Sequence, residues 1–176
     1  MASESHQDYD RADKSEQENE KQGNIYKPGC IFCAIAQNND PKTTILYEDD
    51  DVVVFKDHRP AAPHHYLSIP KQHIRDANSL GPEHIDLVEH LVTAGKQVLQ
   101  EQGGNVNDVR FGFHWAPFNS VYHLHLHVLS PVSGIKRFFV LTAKYKPGCF
   151  WFRTVDWIRE RLKKLKEKSD IKNPKL

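Results

Sequence analysis

Between Ser120 and Leu129 the chain reads Ser-Val-Tyr-His-Leu-His-Leu-His-Val-Leu, with an imidazole at every second position from His123 to His127. A repeat of two does not suit a helix, whose faces recur every three to four residues. It is the natural repeat of a β-strand. Residues 122–129 are therefore expected to form a strand with His123, His125 and His127 on one face and Tyr122, Leu124, Leu126 and Val128 on the other. Neighbouring histidines would stand about 6.5–7 Å apart along such a strand. Isolated histidines often serve as core or surface filler, but filler does not need three in strict register. Two chemistries use such a row. Adjacent histidines on one face can share a zinc ion, although the outer pair, about 13 Å apart on extended backbone, meets at one ion only if the strand bends. The other is nucleophilic catalysis, with the central imidazole attacking and its neighbours setting tautomer and charge. Strand geometry favours the second.

The rest of the pattern supplies a frame for that strand. Ile45–Glu48 and residues 52–55 are β-prone runs on either side of Asp49-Asp50-Asp51, a predicted hairpin. Arg59-Pro60-Ala61-Ala62-Pro63 is a loop, because proline fixes φ and lacks a donor. Residues 65–69 and 109–113 read as further strands. Gly81-Pro82-Glu83 opens a helix, with proline at its first position and an acid close behind. Ile85, Val88, Leu91, Val92, Val98 and Leu99 then recur at helical spacing until Gly103-Gly104 stops the run. Ile31, Phe32 and Ile35 predict a short helix after Cys30. Val155, Ile158, Leu162 and Leu165 predict a C-terminal amphipathic helix whose other face carries Arg159, Arg161, Lys163, Lys164 and Lys166. A solvated face on a docked helix is the plain reading; a membrane-surface or nucleic-acid contact is the rival. This order gives an α+β fold, an antiparallel sheet packed on one main helix.

Composition bounds the setting. A chain of 176 residues suits one domain with one core. Residues 1–27 are acidic and polar with almost no large aliphatic side chains, so a disordered tail is expected there. The domain, including its C-terminal helix, is expected over residues 28–168, with a second flexible tail over 169–176. The 24 basic and 23 acidic residues nearly cancel, so no global field argues for a nucleic-acid partner. No apolar run approaches bilayer-spanning length, and Met1 is followed by a polar stretch instead of a signal peptide. An odd count of 3 cysteines fits a reducing compartment, so cytoplasm, with access to the nucleus, is the expected location. Cys149, between Gly148 and Phe150, reads as a small apolar residue in a packed patch.

The segment His123-Leu124-His125-Leu126-His127-Val128-Leu129 resembles the signature of the histidine triad superfamily. The resemblance extends, in order, to Cys30-Ile31-Phe32-Cys33, Tyr47-Glu48-Asp49, Phe55-Lys56-Asp57 and the run from His65 to Ile74. It implies an α+β fold whose sheet continues across a homodimer, and hydrolysis of purine nucleoside phosphoramidates to the monophosphate and an amine. No cofactor is required for that chemistry. The resemblance implies that His125 forms the nucleotidyl-histidine intermediate, while His123 and His127 orient its ring and hold phosphate oxygens. Ser120 would contact phosphate and help the amine depart. His65 would line the same pocket, and Asp57 and His58 would border the nucleoside. The better-known branch of the superfamily has a Gly-Gln-Ser turn before the triad and an Asn upstream. Here Phe118-Asn119-Ser120, His114 and Trp115 stand in that stretch. Either Asn119 takes over a phosphate contact or substrate preference differs, and His114 either joins the pocket or packs beside Trp115.

Cys30 and Cys33 have the spacing of half a zinc site. The resemblance implies His73 and His123 as the other half of a structural zinc centre; alternatively, the cysteines are small apolar residues of an opening turn. Rival functions are a DNA-adenylate or cap-processing hydrolase, and a catalytically silent nucleotide- or zinc-binding module.

Overall fold

The computed structural model describes residues 26–135 and 143–172. The expected tail over residues 1–27 lies, except for Tyr26 and Lys27, outside the described residues. The β-prone runs form a six-stranded antiparallel sheet. Its strands are β1 (Ile45–Glu48), β2 (Val52–Lys56), β3 (His64–Pro70), β4 (Arg110–His114), β5 (Leu126–Ser130) and β6 (Phe152–Thr154). They lie in the order β1-β2-β3-β5-β4-β6. The sheet is accompanied by helices α1 (Ile31–Ala36), α2 (Ile85–Glu101) and α3 (Val155–Lys172).

Alternation along the strands divides the side chains between two faces. Val52, Val54, Tyr66, Phe113, Leu126 and Val128 point to one face, where α2 brings Val88, Leu91, Ala94, Val98 and Leu99. At Gly95 the helix approaches so closely that a Cβ would stand 2.7 Å from Val128 Cγ2. Just beyond the helix, Gly103 takes a φ of 76°, the left-handed stop anticipated from Gly103-Gly104. The main helix shares this face with α3, whose Val155, Ile158 and Leu162 are buried in the same core. That helix runs to Lys172, so the start of the expected C-terminal tail is helical; residues 173–176 lie outside the described residues. Two of its cations are tied to the fold: Arg159 pairs with Glu89 and Asp156, and Arg161 donates to the carbonyls of Leu80 and Asn78. Among the described residues, no helix is long and apolar enough to cross a membrane.

The opposite face is covered at two ends. Helix α1 packs Phe32, Ile35 and Ala36 on Val53, Phe55, Leu67 and Ile69. At the other end Tyr145 and Phe152 pack on Leu129 with Ala61 and Ala62. Strand β6 was not foreseen: three residues are too few to show a period. It pairs with the outer edge of β4, His114 opposite Phe152 and Gly112 opposite Thr154. Gly112 makes room, since a Cβ there would stand 2.5 Å from the Phe152 ring.

The triad segment departs from the expected strand. The ladder begins only at Leu126, and residues 121–125 run outside it. Instead of pairing in the sheet, Leu124 N–H donates to the Ile74 carbonyl at 2.6 Å, and His123 is drawn toward the cysteines of α1. Tyr122, assigned to the apolar face, is exposed with the Arg75 guanidinium 5.0 Å from its ring centre. From Leu124 onward the expected alternation holds, with Leu124, Leu126 and Val128 in the core.

Candidate active site

The site forms on the second face of the sheet, in the gap between α1 and the segment that precedes β6. His127 projects there from β5, opposite Leu67 of β3 and Gly112 of β4. His125 lies just before the ladder, its ring centre 5.0 Å from that of His127. Phe32 of α1 meets the rings of His123 and His125 edge-on at 6.0 and 5.3 Å. The sequence placed Phe32 in a helix but gave no sign that it walls the site.

Hydrogen bonds settle the tautomers. His125 Nδ1 lies 2.6 Å from the His123 carbonyl. A carbonyl only accepts, so the proton sits on Nδ1 and Nε2 keeps its lone pair. Burial pushes the pKa of His125 down to about 4, which keeps the ring neutral near pH 7. A neutral imidazole with a free Nε2 is a nucleophile.

A second chain of contacts fixes His127. The Ala61 N–H donates to His65 Nδ1 at 3.1 Å, so His65 carries its proton on Nε2. That nitrogen lies 2.9 Å from His127 Nδ1 and 3.3 Å from Asp57 Oδ2. His127 thus accepts on Nδ1 and carries its own proton on Nε2, a buried atom with no partner among the described residues. A donor held without an acceptor marks where an anionic oxygen would sit. Burial, reinforced by His125, His114 and His65, holds His127 well below the usual histidine range. His65 falls to about 4, burial outweighing the opposing pull of Asp57.

These groups border a cavity of about 540 Å³. Phe32, Ile35, Phe55, Leu67 and Val121 supply an apolar wall, and Ser120, His125 and His127 line the same space. Asp57 and His58 also line this cavity, and Asp57 Oδ1 accepts the Arg59 N–H at 2.8 Å. Two expectations are revised. His65 is not in the wall but fully buried behind His127, because β3 turns it beneath Tyr145. Asn119 lines a different, very small cavity with His114, His123 and His125; its amide donates to the Val121 carbonyl and its buried Oδ1 has no partner among the described residues. His114 joins the cluster, its ring centre 4.7 Å from that of His127, and burial lowers its pKa to about 3. Sequence reasoning missed Lys144 and Tyr145, which also line the cavity. A hollow of about 590 Å³ beside Tyr26, Glu48 and Lys71 holds no histidine or cysteine, and Lys71 is paired with Glu48 there.

Cys30, Cys33, His73 and His123 converge as the resemblance implied. Cys33 Sγ lies 3.3 Å from His73 Nδ1 and 3.4 Å from His123 Nδ1, and Cys30 Sγ lies 3.5 Å from His123 Nδ1. In a tetrahedron with Zn–S of about 2.3 Å and Zn–N of about 2.0 Å, such edges measure about 3.5 Å. His123 Nε2 lies 2.9 Å from the Pro70 carbonyl, so its proton is on that nitrogen and Nδ1 is free to ligate. The Cys30 thiol is held down to about 3 by its hydrogen bond from Cys33 and by His123, while Cys33 is pushed up by the same contact. The donor set and spacing fit zinc. Asp57, His65 and His127 also cluster, but there His65 Nε2–H is given to His127 Nδ1, with Asp57 Oδ2 3.3 Å from the same nitrogen.

An antiparallel sheet with His127 on β5 and His125 just before it, both lining a nucleotide-sized cavity, is the architecture of a histidine triad hydrolase fold, and the chain belongs to the histidine triad superfamily. Residues 29–138 match the family described as "Scavenger mRNA decapping enzyme C-term binding". Among curated relatives, the chain is similar to adenosine 5'-monophosphoramidase HINT3 of Mus musculus, 44% identical over 79% of this chain and 84% of the relative. It is similar also to the protein of that name from Danio rerio, 46% identical over 74% and 77%. Among solved structures it is similar to a histidine triad protein from Clostridium difficile, 33% identical, with a TM-score of 0.55 over 58% of this chain and 90% of that one.

Proposed function

We propose that the chain is a nucleoside 5'-monophosphoramidase, hydrolysing purine nucleoside phosphoramidates to the monophosphate and an amine. The observation that carries this reading is the Nδ1–H of His125 bound to the His123 carbonyl at 2.6 Å, which leaves Nε2 as the lone pair on a cavity that also holds Ser120. Similarity to adenosine 5'-monophosphoramidases supports the substrate class.

In the first step the His125 Nε2 lone pair attacks phosphorus and the P–N bond breaks. The departing nitrogen takes the bond pair and a proton relayed from solvent water through the Ser120 hydroxyl, which lines the same cavity. His127 Nε2–H donates to a phosphate oxygen, so negative charge building on that oxygen meets a donor already in place. In the second step water attacks phosphorus and gives one proton to solvent, and the P–Nε2 bond breaks with its electron pair returning to Nε2, which restores neutral His125 and releases the monophosphate. The apolar wall takes the base, and Asp57 accepts from ribose hydroxyls.

Cys30, Cys33, His73 and His123 would hold a zinc ion, which would tie α1 to the first triad residue and act structurally. No step passes through it. Assembly as a homodimer with a sheet continued between copies, and a location in the cytoplasm and nucleus, belong to the same reading and are supported by the resemblance of the motifs.

The test is steady-state hydrolysis of an AMP–tryptamine phosphoramidate by the full chain and by His125→Ala. Turnover should fall at least about 10³-fold in the variant with its melting curve retained. Near-normal turnover by His125→Ala, or none by the unaltered chain, overturns the reading.

A further inference from the structure

We infer that Lys144 makes this pocket select nucleoside monophosphate conjugates whose leaving group carries negative charge. The inference rests on the phosphoramidase reading and adds the leaving-group class.

Lys144 lies beyond the family match, which ends at residue 138. The backbone is anchored at both neighbours of Lys144. Trp151 Nε1–H donates to the Ala143 carbonyl at 2.7 Å, and Arg110 Nη1–H donates to the Tyr145 carbonyl at 3.0 Å. The Tyr145 side chain is buried, its ring centre 5.3 Å from that of His127 and 5.5 Å from that of His65. With backbone fixed on either side and the next residue seated against the triad, Lys144 is positioned at the cavity and does not wander on a free loop. Its Nζ lies 5.5 Å from the Tyr145 ring centre, and its side chain lines the same cavity as Ser120, His125 and His127.

The charge around the cavity leans one way. Lys42, Lys56, Arg59 and Lys144 line it against Asp40 and Asp57. Asp40 accepts from Thr43 and from the Lys42 N–H, and Asp57 Oδ1 accepts the Arg59 N–H, so both carboxylates are engaged in local bonds. Among the described residues, no carboxylate lies within 4.0 Å of Lys144 Nζ. The His127 donor already serves the phosphate. Lys144 lines the same cavity as Ser120, the residue assigned to the departing amine, and its charge repels a cationic leaving group and attracts one bearing a carboxylate, sulfonate or sulfate.

Three AMP phosphoramidates of similar size distinguish this from a plain phosphate contact: those of β-alanine (free carboxylate), n-propylamine (neutral) and 1,3-diaminopropane (cationic). The unaltered chain should rank them in that order by kcat/KM, with about tenfold or more between the extremes. Lys144→Gln should compress the ratio about tenfold, and Lys144→Glu should reverse it. An equal loss on all three in Lys144→Gln, or an unchanged ratio, overturns the inference, since a phosphate contact or a structural role acts on every substrate alike. If the unaltered chain turns over none of them, the phosphoramidase reading fails, and calorimetric titration of the same conjugates decides the inference alone. Tighter binding of the β-alanine conjugate that is lost in Lys144→Gln supports it, and equal binding overturns it.

Discussion

Three imidazoles of one motif present three different faces to their surroundings because each has a different hydrogen-bond partner. His123 gives its Nε2 proton to the Pro70 carbonyl and turns Nδ1 to the cysteines. His125 gives its Nδ1 proton to the His123 carbonyl and keeps Nε2 bare. His127 takes a hydrogen bond on Nδ1 from His65 and so presents Nε2–H. On the proposed function His65 acts as a positioning residue, and His65→Asn should lower kcat by about 10²-fold with a smaller change in KM, as expected when a tautomer is no longer held. Stopped-flow and steady-state rates on one substrate would check this. A pure KM effect would show that His65 serves binding instead.

At the scale of elements, the site depends on clips between segments distant in sequence. Cys30 and Cys33 at the start of α1 meet His73 after β3 and His123 before β5, so one ion would join three segments. Purified protein is expected to carry about one zinc per chain, and Cys33→Ser or a strong chelator should remove it and lower the melting temperature by several degrees. Elemental analysis beside a thermal melt would measure both; a metal-free chain whose melt is insensitive to chelator would count against the centre. The hairpin, the main helix and both flanking helices were legible because each repeats long enough for its period to show. Strand β6 was not, being three residues whose place depends on Gly112 leaving space for Phe152.

At the scale of the molecule, buried neutral histidines couple folding to pH. His65 and His114 titrate near 6.5 in ordinary surroundings but at about 4 and about 3 in the fold, mainly through burial. Between those values the unfolded chain binds protons that the folded chain refuses. Stability from this source is complete above about pH 6.5 and declines as pH falls toward about 4, by an amount on the order of a few kcal/mol for the two together. Urea midpoints at pH 7.5, 6 and 5 should fall in that order, with a shallower slope in His114→Gln. A flat response across this range would contradict the buried neutral state.

The alternation of residues 123–127, the helical stripe of α2 and the Cys-x-x-Cys spacing are local repeats, and local repeats determine which elements form and which side chains can share a face. From these the α+β class, the candidacy of His125 as nucleophile and the convergence of the candidate zinc ligands could be read directly or through the resemblance they carry. The break of the triad segment out of the ladder, the retreat of His65 behind His127 and the arrival of Lys144 and Tyr145 at the cavity were decided only by tertiary structure. Each depends on contacts between residues tens of positions apart, such as Leu124 with Ile74 and Arg110 with Tyr145, and no period in a one-dimensional string records such a meeting.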